Sequence, residues 1–150
     1  TMAGNLNDLW RYRMNDSTWT WIAGTGLINH PGNYGSKGIP AVYNVPRGRG
    51  GAFGWYDNLR QELWLFGGEI VQFDMLFAGE TLNDLWRYQL SNDTWTWMGG
   101  SYTPEQPGVY GDKGVASSDN IPDSRCCGVA WYDRSQHELW LFGGYNSVGA

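Results

Sequence analysis

Short apolar runs recur along the whole chain, and polar or glycine-rich segments separate them. Near the start, the runs 9–12 and 18–22 flank a polar turn at 15–17. Trp19 and Trp21 lie two positions apart in the second run, so a strand places both rings on one face, because side chains alternate along a strand. Asn, Asp and Ser are the residues that a tight turn prefers. The pattern therefore predicts a β-hairpin over residues 9–22.

A second pair of apolar runs, AFGWYDNLRQELWLF, spans residues 52–66. The polar stretch 57–62 predicts a turn between two strands, and the glycine pair Gly67 and Gly68 closes the second strand. No segment has a convincing helical period. We therefore expect an all-β protein.

The seven letters LNDLWRY occur twice, at 6–12 and again at 82–88. The same shift, 76 residues from 6 to 82, superposes every tryptophan of one copy on a tryptophan of the other. The pairs are Trp10 and Trp86, Trp19 and Trp95, Trp21 and Trp97, Trp55 and Trp131, and Trp64 and Trp140. Such agreement indicates that the chain consists of two copies of one unit.

Composition narrows the range of partners. The 150 residues include 22 Gly, 10 Trp and 9 Tyr, and the net charge is −5. Phosphate-binding surfaces need clustered Lys and Arg, so an acidic chain with ten scattered basic residues predicts no nucleic-acid partner. No apolar run approaches the length that crosses a bilayer, and the first residues lack the features of a signal peptide. We therefore expect no membrane insertion.

The order of motifs within a unit resembles the kelch repeat: a glycine pair, then LNDLW and an aromatic residue, then a threonine and tryptophan pair. This resemblance implies a β-propeller in which each repeat forms one four-stranded blade. In the kelch frame the chain holds one full blade, 47–98, between two half-blades, 5–23 and 123–144. Long inter-blade loops, 24–46 and 100–122, connect them.

Two half-blades on one chain predict assembly. The spacing from Gly144 through the two termini to Leu6 nearly matches the internal spacing from Gly68 to Leu82, and unpaired strand edges are a liability in a protein. We expect identical chains to pair head to tail, with three chains giving six blades. The alternatives are a fragment of a longer propeller and a contact that propagates as a fibre. The expected interface residues are Leu9, Trp10, Tyr12, Trp19, Trp21, Trp131, Trp140 and Phe142.

Catalytic residues are scarce in the sequence. Cys126 and Cys127 are adjacent in a predicted strand, so we expect buried free thiols on opposite faces. His30 lies in a long loop and His137 in a hairpin turn, which gives neither a metal site nor a catalytic triad. Galactose oxidase, a copper enzyme with kelch-like blades, needs two histidines and tyrosines that converge, and this chain does not provide that set. We expect no cofactor, no metal and no catalysis.

The resemblance implies that the loops 24–46, 100–122 and 69–81 open on one face, which is the expected binding face. Its candidate ligand-binding residues are Tyr34, Lys37, Asn44, Tyr102, Tyr110 and Lys113. Tyr34 and Lys37, with their counterparts Tyr110 and Lys113, are also candidates to fasten the long loop, and Asp8 and Asp84 are candidates for a structural bond. The apolar stretch 70–77 is a candidate protein contact.

Three functions are open at this point. The leading one is a non-catalytic interaction or self-assembly module, with an extracellular or surface location on a microbe favoured. The second is a carbohydrate-binding lectin, in which loop aromatics stack on sugars. A secreted kelch-type enzyme is the third. Fold alone does not choose among them.

Overall fold

The computed structural model describes residues 4–70 and 79–147. Within these ranges the secondary structure is all β. The strands are β1 (Leu9–Arg13), β2 (Thr18–Ala23), β3 (Phe53–Asp57), β4 (Glu62–Phe66), β5 (Glu69–Ile70), β6 (Glu80–Thr81), β7 (Leu85–Gln89), β8 (Thr94–Gly99), β9 (Val129–Asp133) and β10 (Glu138–Phe142). The all-β prediction is confirmed. The described ranges contain no helix that is long and apolar enough to cross a membrane.

The strands form one four-stranded antiparallel sheet, with the order β3-β4-β7-β8. We call it the complete sheet. The first hairpin, β1-β2, and the last hairpin, β9-β10, each form a two-stranded sheet, and β5 pairs with β6. Both predicted hairpin types are therefore confirmed. The described sheets of one chain do not by themselves form a closed propeller.

The two copies of the repeated motif fold with the same register. Trp10 pairs with Trp21 in the first hairpin, as Trp86 pairs with Trp97 in the complete sheet. The same irregularity follows the leucine that precedes the first tryptophan of each pair. The repeated letters therefore encode the same local structure in both places.

The core lies on both faces of the complete sheet, because alternate side chains of each strand point to opposite faces. On one face, Trp86, Tyr88 and Trp95 form a buried cluster against which Leu9 and Ile22 of the first hairpin pack. The other face has a second cluster: Phe53, Trp55 and Phe66, packed by Leu139 and Leu141 of the last hairpin among others. The complete sheet is thus covered by one hairpin on each side.

The first loop, 24–46, lies along the β8 edge of the complete sheet. Ala41 forms a β-bridge with Trp95, and the Gly38 amide donates to the Trp97 carbonyl at 2.7 Å. These bonds satisfy backbone groups of β8, which is otherwise an edge strand. The second loop, 100–122, has the same internal bridge as the first loop, Val109 to Ile121 in place of Asn33 to Val45.

The glycine pair after β4 is required by close backbone approach. Gly67 and Gly68 both have positive φ, 62° and 103°. A Cβ on Gly67 would collide with the Arg125 carbonyl oxygen, and one on Gly68 would lie 2.8 Å from the Gly50 carbonyl oxygen. Only glycine fits both demands, since other residues rarely adopt this backbone region.

Candidate functional site

A buried carboxylate, Asp84, fastens the first loop to the complete sheet. Arg49 donates from both terminal nitrogens, at 2.6 Å to Oδ1 and 2.7 Å to Oδ2. The Tyr34 hydroxyl and the Trp86 indole nitrogen each donate to Oδ2 at 2.7 Å. The predicted structural bond of Asp84 is therefore confirmed, and we call these four residues the Asp84 site.

The charges of the Asp84 site compensate each other. Burial by itself raises the pKa of Asp84, but the Arg49 charge and the hydrogen bonds from Arg49, Tyr34 and Trp86 outweigh it, so the pKa lies below its ordinary value. Burial and the adjacent carboxylate raise the pKa of Tyr34. Asp84 is therefore ionised and Tyr34 is protonated, as their hydrogen bond requires.

Lys37 and Tyr102 meet Tyr34 around a single indole ring, that of Trp97. The Lys37 Nζ lies 4.6 Å from the ring centroid and donates to the Gly100 carbonyl at 3.1 Å. Tyr34 and Tyr102 contact the same ring edge-on, at centroid distances of 5.3 Å and 6.5 Å. The prediction that these residues fasten the long loop is confirmed for Tyr34 and Lys37 in the first loop, and for Tyr110 and Lys113 in the second loop it stays a prediction.

Asn44 is buried, and its amide donates to the carbonyls of Ile39 and Trp95. It also lines an open cavity of about 440 Å³ together with His30 and Tyr43. Asn44 therefore holds the loop, and it borders a space in which a small molecule fits.

The remaining loop residues proposed to bind a ligand are exposed. They are Tyr102, Tyr110 and Lys113. Tyr110 and Lys113 belong to the second loop and do not join the cluster around Trp97. The structure therefore divides the six predicted ligand-binding residues between two loops, and ligand binding by them stays a prediction.

The repeat counterparts of the Asp84 site are split between the two ends of the chain. Asp8, the counterpart of Asp84, accepts a hydrogen bond from Trp10 at 2.6 Å. Tyr110 and Arg125 instead contact Asp123, at 2.6 Å from the Tyr110 hydroxyl and 3.8 Å from the Arg125 Nη2. Asp8 thus has its tryptophan but not the arginine and tyrosine that Asp84 has.

Aromatic side chains show the same split, measured as the exposed fraction of each residue. Trp86 is 0% exposed and Trp10 is 47% exposed, although both lie in LNDLWRY. Trp95 is 7% exposed against 65% for its counterpart Trp19. Identical motifs are covered in the complete sheet and uncovered in the hairpins.

The last hairpin is uncovered in the same way. Phe66 is 4% exposed against 71% for its counterpart Phe142. The other predicted interface residues with exposed side chains are Tyr12, Trp21, Trp131 and Trp140. Leu9 differs from this group because it packs within the chain, against the cluster around Trp86.

Two strand edges accompany these exposed side chains. In the complete sheet, β4 pairs with β7. Their repeat counterparts, β10 and β1, pair within the described residues only with β9 and β2.

We call the exposed side of the first hairpin the head surface, formed by Asp8, Trp10, Tyr12 and Trp19. The tail surface is formed by Tyr110, Arg125 and the free edge of β10.

The cysteine prediction is partly wrong. Both cysteines are free, and Cys126 is buried, but Cys127 is exposed and has a φ of 65°. This left-handed backbone interrupts strand alternation, so the two Sγ atoms lie 2.8 Å apart instead of on opposite faces. Burial raises the pKa of the Cys126 thiol to about 12, with smaller contributions from Cys127 and Glu69. A protonated, buried Cys126 is a poor nucleophile.

Other sequence signals lead to no site in the described ranges. No group of three His, Cys, Asp or Glu residues there has the geometry to hold a metal ion. The apolar stretch 70–77 falls, apart from the buried Ile70, outside the described residues. Sequence reasoning missed the role of Asp123, and the one available signal is that it occupies the repeat position of Arg47.

Searches against known protein families and against curated proteins find no match to this chain. We therefore infer its function from the geometry of its own residues.

Proposed function

We propose that this chain is a non-catalytic self-assembly module that associates with identical chains head to tail. In this arrangement β10 of one chain pairs with β1 of the next and completes a four-stranded blade. Three chains give a six-bladed ring of the kelch type. The ring then presents its loops as an interaction surface.

The observation that carries the proposal is the contrast between identical motifs. Trp86 is fully buried by neighbouring elements, whereas Trp10 is half exposed in the same local structure. The chain therefore contains both a covered sheet and the uncovered halves of another. A second copy supplies the complementary half, and its strands have the same sequence motifs that pair β4 with β7 in the complete sheet.

Exposed aromatic side chains on the two surfaces favour association. A tryptophan presents roughly 200 Å², so burial of the exposed half of one ring is worth about 2.5 kcal/mol at ~25 cal/mol/Å². Several exposed aromatic residues on each surface add such contributions, and they offset the loss of translational and rotational freedom on association. Exposed aromatic patches of this kind are typical of protein contacts.

Pairing of two-repeat chains allows only even numbers of blades. Propellers have about four to eight blades, so closed rings of two, three or four chains are compatible with the fold. We favour three.

Light scattering coupled to size exclusion, over a dilution series, tests the proposal. The expected mass is three times the 16.9 kDa of the chain. Trp140→Lys should reduce the mass, because it puts a charge on the tail surface, whereas Leu59→Ser changes an exposed hairpin turn and should leave the mass unchanged. A wild-type chain that stays monomeric at all concentrations contradicts self-assembly, and species of very high mass indicate a fibre instead of a ring.

Carbohydrate binding is the second candidate, and the cavity of about 440 Å³ beside the first loop favours it. His30, Tyr43 and Asn44 give this cavity both polar groups and an aromatic ring. Sugars are bound by such combinations of stacking and hydrogen bonding. A glycan array tests it, with Tyr43→Ala as the variant that should lose binding without changing the mass in solution.

A further inference from the structure

The Asp84 site has a counterpart for each of its residues elsewhere in the chain. The 76-residue shift relates Asp84 to Asp8, Trp86 to Trp10, Arg49 to Arg125 and Tyr34 to Tyr110. The residue types are identical at every position. A second site of the same composition is therefore encoded, with its parts placed at the two ends of the chain.

Each end of the chain already holds its part in the conformation that the Asp84 site has. On the head surface, the Trp10 indole donates to Asp8 at 2.6 Å, as Trp86 donates to Asp84 at 2.7 Å. On the tail surface, Arg125 donates to the Asp123 and Gly143 carbonyls at 3.1 and 3.3 Å, as Arg49 donates to the Arg47 and Gly67 carbonyls at 3.1 and 2.8 Å. The two halves lie apart in one chain, and in the tail half Tyr110 is bonded to Asp123, which has no carboxylate counterpart in the Asp84 site.

The tail surface has no counterpart of Asp84, and Asp123 is the carboxylate that Tyr110 and Arg125 contact instead. It accepts from the Tyr110 hydroxyl and lies 3.8 Å from Arg125. The repeat counterpart of Asp123 is Arg47, and in the Asp84 site the carboxylate is that of Asp84. The 3.8 Å contact of Arg125 is looser than the two bonds of 2.6 and 2.7 Å between Arg49 and Asp84. The tail surface thus holds a guanidinium that a better-placed carboxylate would bind more tightly.

A cavity of about 390 Å³ lies between the complete sheet and the last hairpin, the β9-β10 hairpin that follows Arg125 in the chain. Its walls include Leu85, Met98, Ile121, Leu139 and Leu141. The repeat counterparts of these five residues are Leu9, Ile22, Val45, Leu63 and Leu65. All five counterparts pack against the buried cluster of Trp86, Tyr88 and Trp95. The cavity therefore has the walls that enclose an aromatic cluster in the complete sheet.

The residues that match this cluster are on the head surface. They are Trp10, Tyr12 and Trp19, the counterparts of Trp86, Tyr88 and Trp95. Within one chain they are exposed and already form a cluster, with Tyr12 4.9 Å from Trp19 between ring centroids, as Tyr88 lies 5.0 Å from Trp95. The cluster is preformed in the shape that the cavity walls accept.

Charge placement along the strands also selects a second copy of this chain. In the complete sheet, Arg87 of β7 lies 3.5 Å from Glu62 and 6.0 Å from the Trp64 ring of β4. The same register between β10 of one chain and β1 of the next would bring Arg11 beside Glu138 and Trp140. An unrelated protein has no reason to carry this combination of acid, arginine and tryptophan at matching intervals.

We propose that Asp8 of one chain completes a buried ion-pair site with Arg125 and Tyr110 of the neighbouring chain, while Trp10, Tyr12 and Trp19 fill the cavity of about 390 Å³. This inference rests on the proposed head-to-tail assembly and names the residues whose contacts stabilise it. We call the contact of Asp8 with Arg125 and Tyr110 of the next chain the lock. On docking, Arg125 and Tyr110 exchange Asp123 for Asp8.

Two charge-reversal variants, measured separately and mixed, test the lock. Asp8→Arg places an arginine opposite Arg125, and Arg125→Glu places a carboxylate opposite Asp8, so each variant alone should elute at the 16.9 kDa chain mass. An equimolar mixture joins the intact tail of one variant to the intact head of the other, and its mass should be at least twice that of the chain. Circular dichroism of each variant at low concentration checks that the fold is retained.

The outcomes separate the lock from the assembly itself. A wild-type chain that is monomeric overturns both proposals. A wild-type oligomer whose two variants keep its mass overturns the lock and leaves head-to-tail assembly standing. Variants that are monomeric both alone and in the mixture show that Asp8 and Arg125 do not meet, and they also overturn the lock.

Discussion

The tryptophan of LNDLWRY has two environments in this molecule. In the complete sheet, Trp86 is enclosed by the first hairpin, the first loop and its own strand neighbours. In the first hairpin, Trp10 has the same strand partner and the same bond to an aspartate, yet half of its surface is exposed. Local structure is therefore set by the motif, while burial depends on which neighbouring unit is present. Substitutions made in pairs, one in each copy, separate these two contributions.

The largest expected effect comes from removing the tryptophan rings. Trp86→Ala should lower the free energy of unfolding by about 4 kcal/mol, because it empties a buried site. Trp10→Ala should lower it in the isolated chain by only about 1 kcal/mol, through lost contact with Trp19 and Trp21. Denaturant unfolding at low concentration measures both. Equal losses would contradict the distinction between covered and uncovered copies.

Removing the carboxylate charges should produce the next largest difference. Asp84→Asn should cost about 3 kcal/mol, since it leaves the buried Arg49 without its counter-ion. Asp8→Asn should leave the unfolding of the dilute chain nearly unchanged and should instead raise the concentration at which chains associate. Denaturant unfolding and light scattering on the same samples separate the two effects. Loss of chain stability in Asp8→Asn would show that Asp8 already has an internal structural role.

Acid should act mainly through the complete sheet. The folded-state pKa of Asp84 lies below its unfolded value, so its stabilisation is fully present above about pH 4 and is lost as pH falls through the folded pKa. Asp57 behaves likewise: burial raises its pKa, but hydrogen bonds from Arg60 and Leu59 lower it to about 2. Unfolding midpoints between pH 6 and pH 2 should fall steeply in the wild type and less in Asp84→Asn, which keeps only the Asp57 contribution of this pair. Parallel curves would contradict the assignment to Asp84.

A smaller difference is expected at the two loop asparagines. Asn44 donates to the carbonyls of Ile39 and Trp95, whereas Asn120 donates to Val115, the counterpart of Ile39. Asn44→Ala should therefore destabilise the chain by about 1 kcal/mol more than Asn120→Ala, the value of the hydrogen bond to β8. Denaturant unfolding checks the difference. If Asn120→Ala costs as much as Asn44→Ala, the second loop is held within the chain by contacts equal to those of the first.

The smallest effect should come from the cross-strand ion pair. Arg87→Met should change the free energy of unfolding by about 0.5 kcal/mol, because Arg87 is partly exposed to solvent. Arg11→Met should leave unfolding of the dilute chain unaltered and should make association less sensitive to added NaCl. Light scattering at low and high salt measures this. Unchanged salt dependence would show that Arg11 does not face a carboxylate across the interface between β1 and β10 of two chains.

Repetition made much of the fold predictable from sequence. The hairpins follow from alternating apolar residues and from the doubled motif, because both are local and each copy supports the other. The joining of two hairpins in one four-stranded sheet was implied by the resemblance to the kelch repeat. The Asp84 bond was predictable for the same reason, since Asp8 recurs at its position. The site residues Tyr34 and Lys37 were recognised as loop contacts from their repeated setting.

Other features depend on departures from the repeat, which a pattern does not interpret. Cys127 replaces Gly51 and keeps a positive φ, so the alternation expected of a strand fails there. Asp123 replaces Arg47 and takes the bond of Tyr110. The burial of Asn44 depends on how the first loop lies against β8, a tertiary contact that the sequence does not encode locally.

The internal bridge of the second loop determines when the backbone entropy of this loop is lost. Val109 and Ile121 are paired, and Asn120 bonds Val115, before any partner is present. The backbone entropy of this loop is therefore lost during folding of the chain and not during association. A preorganised loop binds with a smaller entropic penalty, so contact area on the tail surface converts more efficiently into affinity than it would for a segment that folds on binding.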